Sequence, residues 1–263
     1  MIKPGITAVA LLLLNYTTYA SEKSVQDIVN SASATAYYQG QDGKAQVKMT
    51  ITDALGRERK REFTILRTDI EDQDNREQKY YVLFNRPSDV HRMVLMVWKN
   101  INTDDDRWLY LPALDLVKRI AANNGRNSFV GSHFYYEDVS GRNPNADAHA
   151  LIEETDQYYI VESKPKKPQS VEFSRYITWI EKTKYIPIKT EFYDHNNEKY
   201  RSYAALKVEN IEGWPTVVKA SMEDHLRGGK TELTYNSIKY DVALPETIFT
   251  ERYLRNPPHQ YLH

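Results

Sequence analysis

Val47, Met49 and Ile51 alternate with Lys48, Thr50 and Thr52, the period-two pattern of a strand with one buried and one wet face. Asp53-Ala-Leu-Gly56 reads as a turn, and the chain from Arg57 to Arg67 returns with Phe63 and Ile65 on one side, which predicts a hairpin. Strands follow from Lys79 to Asn85 and from Arg92 to Lys99. The second is almost continuously apolar from Met93 to Trp98, which predicts cover on both of its faces. From Arg107 to Ile120, residues of high strand propensity surround Pro112 and Asp115, the marks of a turn, so Leu116 to Ile120 is the returning arm of another hairpin. The meander resumes with Tyr158 to Ser163, Val171 to Lys182, Tyr185 to Asp194, Lys199 to Glu209, Pro215 to Asp224 and Thr231 to Tyr240. Asp194-His-Asn-Asn197 and Arg227-Gly-Gly229 are its tightest turns. Helical spacing is clearest over Ser24–Ala36, where Val25, Ile28 and Val29 share a face and Ser24 can cap the first turn, and the stretch from Asn123 to Asp147 reads as short helical turns and loop packed over the sheet.

The pattern thus predicts a mainly β chain of about ten or eleven antiparallel strands, and a sheet of that size curls instead of staying flat. A curled sheet has a concave face that needs a cover. The amphipathic helix is one source. The other is the stretch from Asn123 to Asp147, whose Gly125, Gly131, Gly141 and Pro144 rule out a strand while Phe129, Phe134, Tyr135 and Tyr136 are too many aromatics for a solvent loop.

The first residues change the picture of where the chain works. Lys3, the apolar run from Ile6 to Leu14 and Thr18-Tyr19-Ala20 before Ser21-Glu22-Lys23 have the layout of a secretory leader, cleaved after Ala20. The apolar run is far shorter than the ~20 residues that span a bilayer. Without the leader the 35 basic residues become 34 against 36 acidic, and the formal charge moves from -1 to -2. That balance gives no case for nucleic acid or a polybasic membrane anchor. The 263-residue chain has no cysteine, so neither disulfides nor acylation at a cysteine is available to it. Residues 21–263 are read as a single domain, since β folds of this size are commonly one unit.

Signals of catalysis are lacking. The seven histidines show no metal-ligand spacing, and Asp104-Asp105-Asp106 lacks the spaced ligands of a calcium loop and reads as a solvated turn. Adjacent carboxylates in strands point to opposite faces, so Glu153-Glu154 is no acid–base pair, and neither a nucleophile elbow nor a phosphate or dinucleotide loop is present. No enzyme, metal or cofactor is expected.

The stretch Arg107-Trp-Leu-Tyr-Leu-Pro-Ala-Leu-Asp-Leu-Val-Lys-Arg-Ile120, followed by Ser128-Phe-Val-Gly-Ser-His-Phe-Tyr-Tyr-Glu-Asp-Val139, resembles the outer-membrane lipoprotein-sorting protein family, the LolA-like carriers. In that family a WLYLP…VKRI hairpin precedes a GSDF…YEDL segment. His133 stands where the family carries Asp, so a role for that carboxylate does not carry over. The resemblance implies an incomplete β-barrel whose concave side, covered by helices, holds the acyl chains of a lipid or lipoprotein in the periplasm. It further implies an inner-membrane transporter as donor and an outer-membrane acceptor. A monomer is expected. The alternative is a ligand-free accessory subunit of a resistance-nodulation-division type transporter, which would have a filled interior and a broad apolar patch outside.

On this reading Trp98, Trp108, Tyr110, Phe134, Tyr136, Phe192 and Met222 line the cavity, and Arg119, Glu137 and Asp138 form a latch or rim for the cover. Lipid tails would be held by apolar burial, about 0.8 kcal/mol per methylene, with few polar contacts needed.

Overall fold

The computed structural model describes residues 23–70 and 77–262; the expected leader lies outside them. Helix α1 (Val25–Tyr37) opens the fold, and the Ser24 hydroxyl accepts from Asp27 N at 3.2 Å as the expected cap. Six strands follow as a meander: β1 (Asp42–Asp53), β2 (Glu58–Asp69), β3 (Gln78–Arg86), β4 (Val94–Lys99), β5 (Asp106–Leu111) and β6 (Leu116–Ile120). The second meander is β7 (Asp147–Glu154), β8 (Tyr158–Pro165), β9 (Arg175–Glu181), β10 (Pro187–Tyr193), β11 (Lys199–Ile211), β12 (Trp214–Asp224) and β13 (Gly229–Tyr240).

All thirteen strands form one antiparallel sheet in the order β6-β5-β4-β3-β2-β1-β13-β12-β11-β10-β9-β8-β7, the two meanders being joined by the pairing of β1 with β13. The count exceeds the ten or eleven expected from the pattern. The strand with no counterpart in that reading is β7, an edge strand with the weak composition Asp-Ala-His-Ala-Leu-Ile-Glu-Glu. Strands β6 and β7 end the sheet without pairing to each other, so the barrel is incomplete. Curvature is visible in what α1 touches: β7 and β12 lie five strands apart in the sheet order, yet both contact this one helix.

The two faces are packed differently. The inner face joins Val47, Met49 and Ile51 of β1 to Phe63, Tyr80, Val82, Phe84, Leu95 and Val97, with Met222 and Leu233 from the second meander. Ile28 and Ala32 of α1 pack on Val161 and Ile180 at the far side. On the outer face, Leu66, Tyr81, Val94 and Met96 are covered by the chain after β13, through Leu244, Ile248, Phe249, Leu254 and Leu262. This tail includes helix α3 (Arg252–Arg255) and ties down with Trp98 Nε1 donating to Phe249 O at 2.8 Å and Tyr81 donating to Tyr253 O at 2.7 Å. Two-sided cover of the apolar β4 is therefore met, by a C-terminal tail on one side and by the aromatic segment on the other.

Candidate functional site

Between α1, the stretch 121–146 and the concave face lies a cavity of about 400 Å³. Val29, Ala32 and Ala36 line it from the helix. Ala45, Phe63, Ile65 and Tyr80 line it from the first meander, and Val161, Ile180, Phe192, Ala220, Met222, Leu233 and Tyr235 from the second. These walls are apolar because each strand turns its alternate residues inward. The tyrosines among them are no acids at neutral pH. Burial raises Tyr80, and it pushes Tyr235 up to about 12.

The stretch 121–146 closes one side. Phe129 N donates to Phe134 O at 2.8 Å, and Ser128 and Tyr135 form a bridge, so a tight loop sets Phe129 and Phe134 side by side. Phe129 meets Phe63 edge-on at 5.9 Å between centroids, Phe84 at 5.6 Å and Tyr136 at 5.9 Å. Helix α2 (Tyr136–Ser140) follows, with Asp138 accepting from Tyr135 N at 2.6 Å. At its end Gly141 has φ 77°, and a Cβ there would stand 2.6 Å from the Tyr37 ring, so glycine lets the cover seat on α1.

An ion-pair network fastens this cover. Arg126 bonds Glu137 at 2.7 Å and grips Glu172 with two contacts at 3.1 and 2.6 Å. Arg142 bonds Glu137 at 3.0 Å and grips Asp147 with two contacts of 2.8 Å each, and Asp147 also accepts from the Tyr176 hydroxyl at 2.8 Å. Asp138 pairs with Arg201 of β11, whose guanidinium stacks 3.9 Å from the Tyr135 ring centroid. Burial pushes the Glu137 carboxyl up, but Arg126 and Arg142 outweigh it and hold the group below its ordinary range. Arg126, Arg142 and Asp138 reach the cavity wall from this network, and Lys44, Arg67 and Lys239 also line it, so the mostly apolar enclosure carries charge at its margins.

Of the expected lining residues, Phe134, Phe192 and Met222 face the cavity, and Tyr136 packs behind it against Phe129. Trp98, Trp108 and Tyr110 do not. They lie on the outer face under the C-terminal tail, where Trp98 and Trp108 meet at 4.9 Å, while Leu109 and Leu111 of β5 turn inward in their place. A phase error of one residue moves a whole strand to the other face. Glu137 and Asp138 lie in the ion-pair network, with Arg126 and Arg142 on the first and Arg201 on the second. Arg119 does not, since it pairs with Asp106 and lies over Trp108 on the outer face. The aspartate turn is only partly solvated: Asp104 is exposed, whereas Asp105 is mostly buried and bonds Arg107 at 2.6 Å. His133 donates its backbone N–H to the Thr231 hydroxyl at 3.0 Å, and its Nδ1 lies 2.8 Å from the same oxygen. Burial lowers its pKa. Sequence reading missed Arg126, Arg142 and Arg201. The first two flank the aromatic stretch and were legible as its cations, but Arg201 stands 63 residues from its partner Asp138.

Lys99 anchors the same corner. Its ammonium donates to Ser140 O at 2.6 Å and lies 5.3 and 5.4 Å from the ring centroids of Tyr37 and Tyr38. Burial lowers its pKa from 10.5 to about 8, against the pull of Asp105 and Glu137. Between those two values the unfolded chain binds more protons than the folded one, so this group's contribution to stability rises with pH across that window. The buried tyrosines act in the opposite direction only above about pH 10, where unfolded tyrosines ionise. Lys99→Met is expected to flatten the rise in urea midpoint between about pH 8 and 10; an unchanged slope would contradict the assignment.

A single antiparallel sheet curled around a largely apolar cavity, open between its edge strands and flanked by a helix and an ion-paired segment, defines a half-barrel fold. A DUF1329 family protein from Desulfovibrio piger shares it at TM-score 0.80 and 26% identity over 87% of this chain and 97% of its own. A domain from Vibrio parahaemolyticus assigned to outer-membrane lipoprotein sorting matches at TM-score 0.78 and 26% identity, covering 88% and 97% of the two chains. A LolA superfamily protein from Nitrosomonas europaea, 20% identical, has the same fold at TM-score 0.68 over 88% of this chain and all of its own. No curated protein sequence matches. A family model described as that of an uncharacterised protein matches residues 76–256, more than half of the chain, and the chain belongs to that family, DUF1329, with a LolA-like fold.

Proposed function

We propose that the protein is a periplasmic carrier that takes the acyl chains of a lipid or lipidated protein into the concave cavity and passes them toward the outer membrane. The cavity carries this reading: about 400 Å³ of space walled by Ala45, Ile65, Ala220, Met222 and Leu233 lies within the size range of small-ligand pockets. Empty apolar volume forfeits contacts, and each buried methylene of a guest recovers about 0.8 kcal/mol. A ligand-free accessory subunit would have that space filled by side chains. The leader-like first 20 residues support export, and the likeness to the Vibrio domain supports a lipoprotein or lipid as cargo. Discharge requires the cover to part, and the ion pairs of Glu137 and Asp138 are the contacts that oppose it.

Titration with a fluorescent fatty acid tests the proposal. Ala220 is buried in the cavity wall and is not itself part of the charged network, and Ala220→Trp takes up part of the space. The expected result is saturable binding to the wild type and a loss of at least about tenfold in the variant, with the fold intact by circular dichroism. Equal binding by both proteins would place the ligand elsewhere.

A further inference from the structure

Seven large apolar side chains are exposed among the described residues, and four of them, Leu55, Leu114, Leu116 and Leu226, are leucines at hairpin tips or at the strand end beside one. In an antiparallel meander alternate turns fall on one rim, so the β1–β2, β3–β4 and β5–β6 turns share it. The pairing of Asp53 with Gly229 brings the β12–β13 turn alongside. The two central tips touch: a Cβ on Gly228 would lie 3.0 Å from that of Ala54. Leu55 is 77% exposed, Leu114 71% and Leu226 62%.

These leucines have nowhere inside to go. Asp53 accepts from Leu55 N at 2.9 Å and Arg57 N at 3.0 Å, and Asp224 accepts from Leu226 N at 3.0 Å and Arg227 N at 2.8 Å, so each turn is locked with its leucine outward. Those bonds occupy the carboxylates nearest the tips. Exposed Arg57, Arg59, Lys60, Arg86, Arg92 and Arg227 stand at these turns, outnumbering the exposed acids there, Glu58, Asp89, Asp115 and Glu223. Among the described residues the opposite rim exposes Asp104, Asp156, Glu212 and Asp241 against Lys184, so its balance is acidic. Single exposed leucines are ordinary. Prongs of leucine on one rim, with cations behind and acids at the far end, suit a surface that is apolar beneath and anionic above. The prongs form two separate groups: the Leu55 and Leu226 turns meet, and strand spacing puts the Leu114 tip about 20 Å away. A fluid layer accepts separate prongs, whereas a rigid partner needs a continuous patch.

We propose that this leucine-tipped rim docks the protein on a lipid bilayer containing anionic phospholipid. The loop 128–135 sits at the same rim, since Arg59 donates to Gly131 O at 3.3 Å and His133 is bonded to Thr231. Docking therefore brings the Phe129–Phe134 wall of the cavity close to the membrane. The inference does not rest on the carrier reading, because the prongs lie outside the cavity.

Co-sedimentation of the mature protein with phosphatidylethanolamine vesicles containing phosphatidylglycerol tests it. Wild type is expected to sediment with the vesicles, Leu55→Asp and Leu226→Asp each to weaken partitioning by about tenfold or more, and the double variant to stay in the supernatant. Leu206→Asp, at an exposed mid-strand position of β11, is the control and should bind as wild type. Fatty-acid binding without vesicles should be the same in all five proteins, so failure of the rim and failure of the cavity read out separately. Wild type left in the supernatant, or Leu206→Asp weakened as much as the tip variants, would overturn the proposal. So would a dimer in sedimentation velocity that Leu55→Asp dissolves while no protein binds vesicles.

Discussion

Asp138→Ala is expected to lower stability by about 3–5 kcal/mol, the cost of removing one member of a buried ion pair. The Arg201 side chain is 2% exposed, its Nε and Nη1 have no hydrogen-bond partner, and Asp138 is the carboxylate that its Nη2 meets. Without that partner a buried guanidinium is left uncompensated, and the Tyr135 N–H loses its cap as well. Arg201→Met removes the charge together with the need for a partner, so the Asp138→Ala/Arg201→Met double variant should recover most of the loss. Urea midpoints of the four proteins check this. An unchanged midpoint in Asp138→Ala would show that the pair does not fasten the cover.

Phe249→Ala should cost about 3–5 kcal/mol for a different reason, the cavity left by a large buried side chain. Phe249 is fully buried under the outer face of β3 and β4, and its carbonyl accepts from Trp98. The sheet separates this site from the ligand cavity, so fatty-acid affinity measured well below the unfolding transition should stay within about twofold of wild type. A large loss of affinity in folded Phe249→Ala would mean that the outer packing sets the sheet's curvature.

These two sites mark where the sequence was and was not informative. Alternation such as Val47-Lys48-Met49-Thr50-Ile51 exposes a strand directly, because a half-buried sheet imposes a period of two. Edge strand β7 escapes the same reading because it has no Phe, Tyr or Trp and only one β-branched residue, Ile152. The C-terminal tail escapes it too: Leu244, Ile248, Phe249 and Leu254 follow neither the helix nor the strand period, and prolines interrupt them. Trp98, Trp108 and Tyr110 were assigned to the wrong face because β4 is apolar on both sides and the bulk of a tryptophan does not say which cover it meets. Glu137 and Asp138 were legible as charges that follow an aromatic cover. Their partners were not, since Arg201 on β11 reaches the cover only after four further strand reversals, from β7 to β11.

The central claim, that the concave cavity holds acyl chains, is tested most directly by native mass spectrometry of the protein released gently from the periplasm, with solvent extraction of what accompanies it. The account predicts about one acyl-bearing molecule per chain and its absence from Ala220→Trp. A wild-type protein that emerges empty and takes up no added lipid would contradict it.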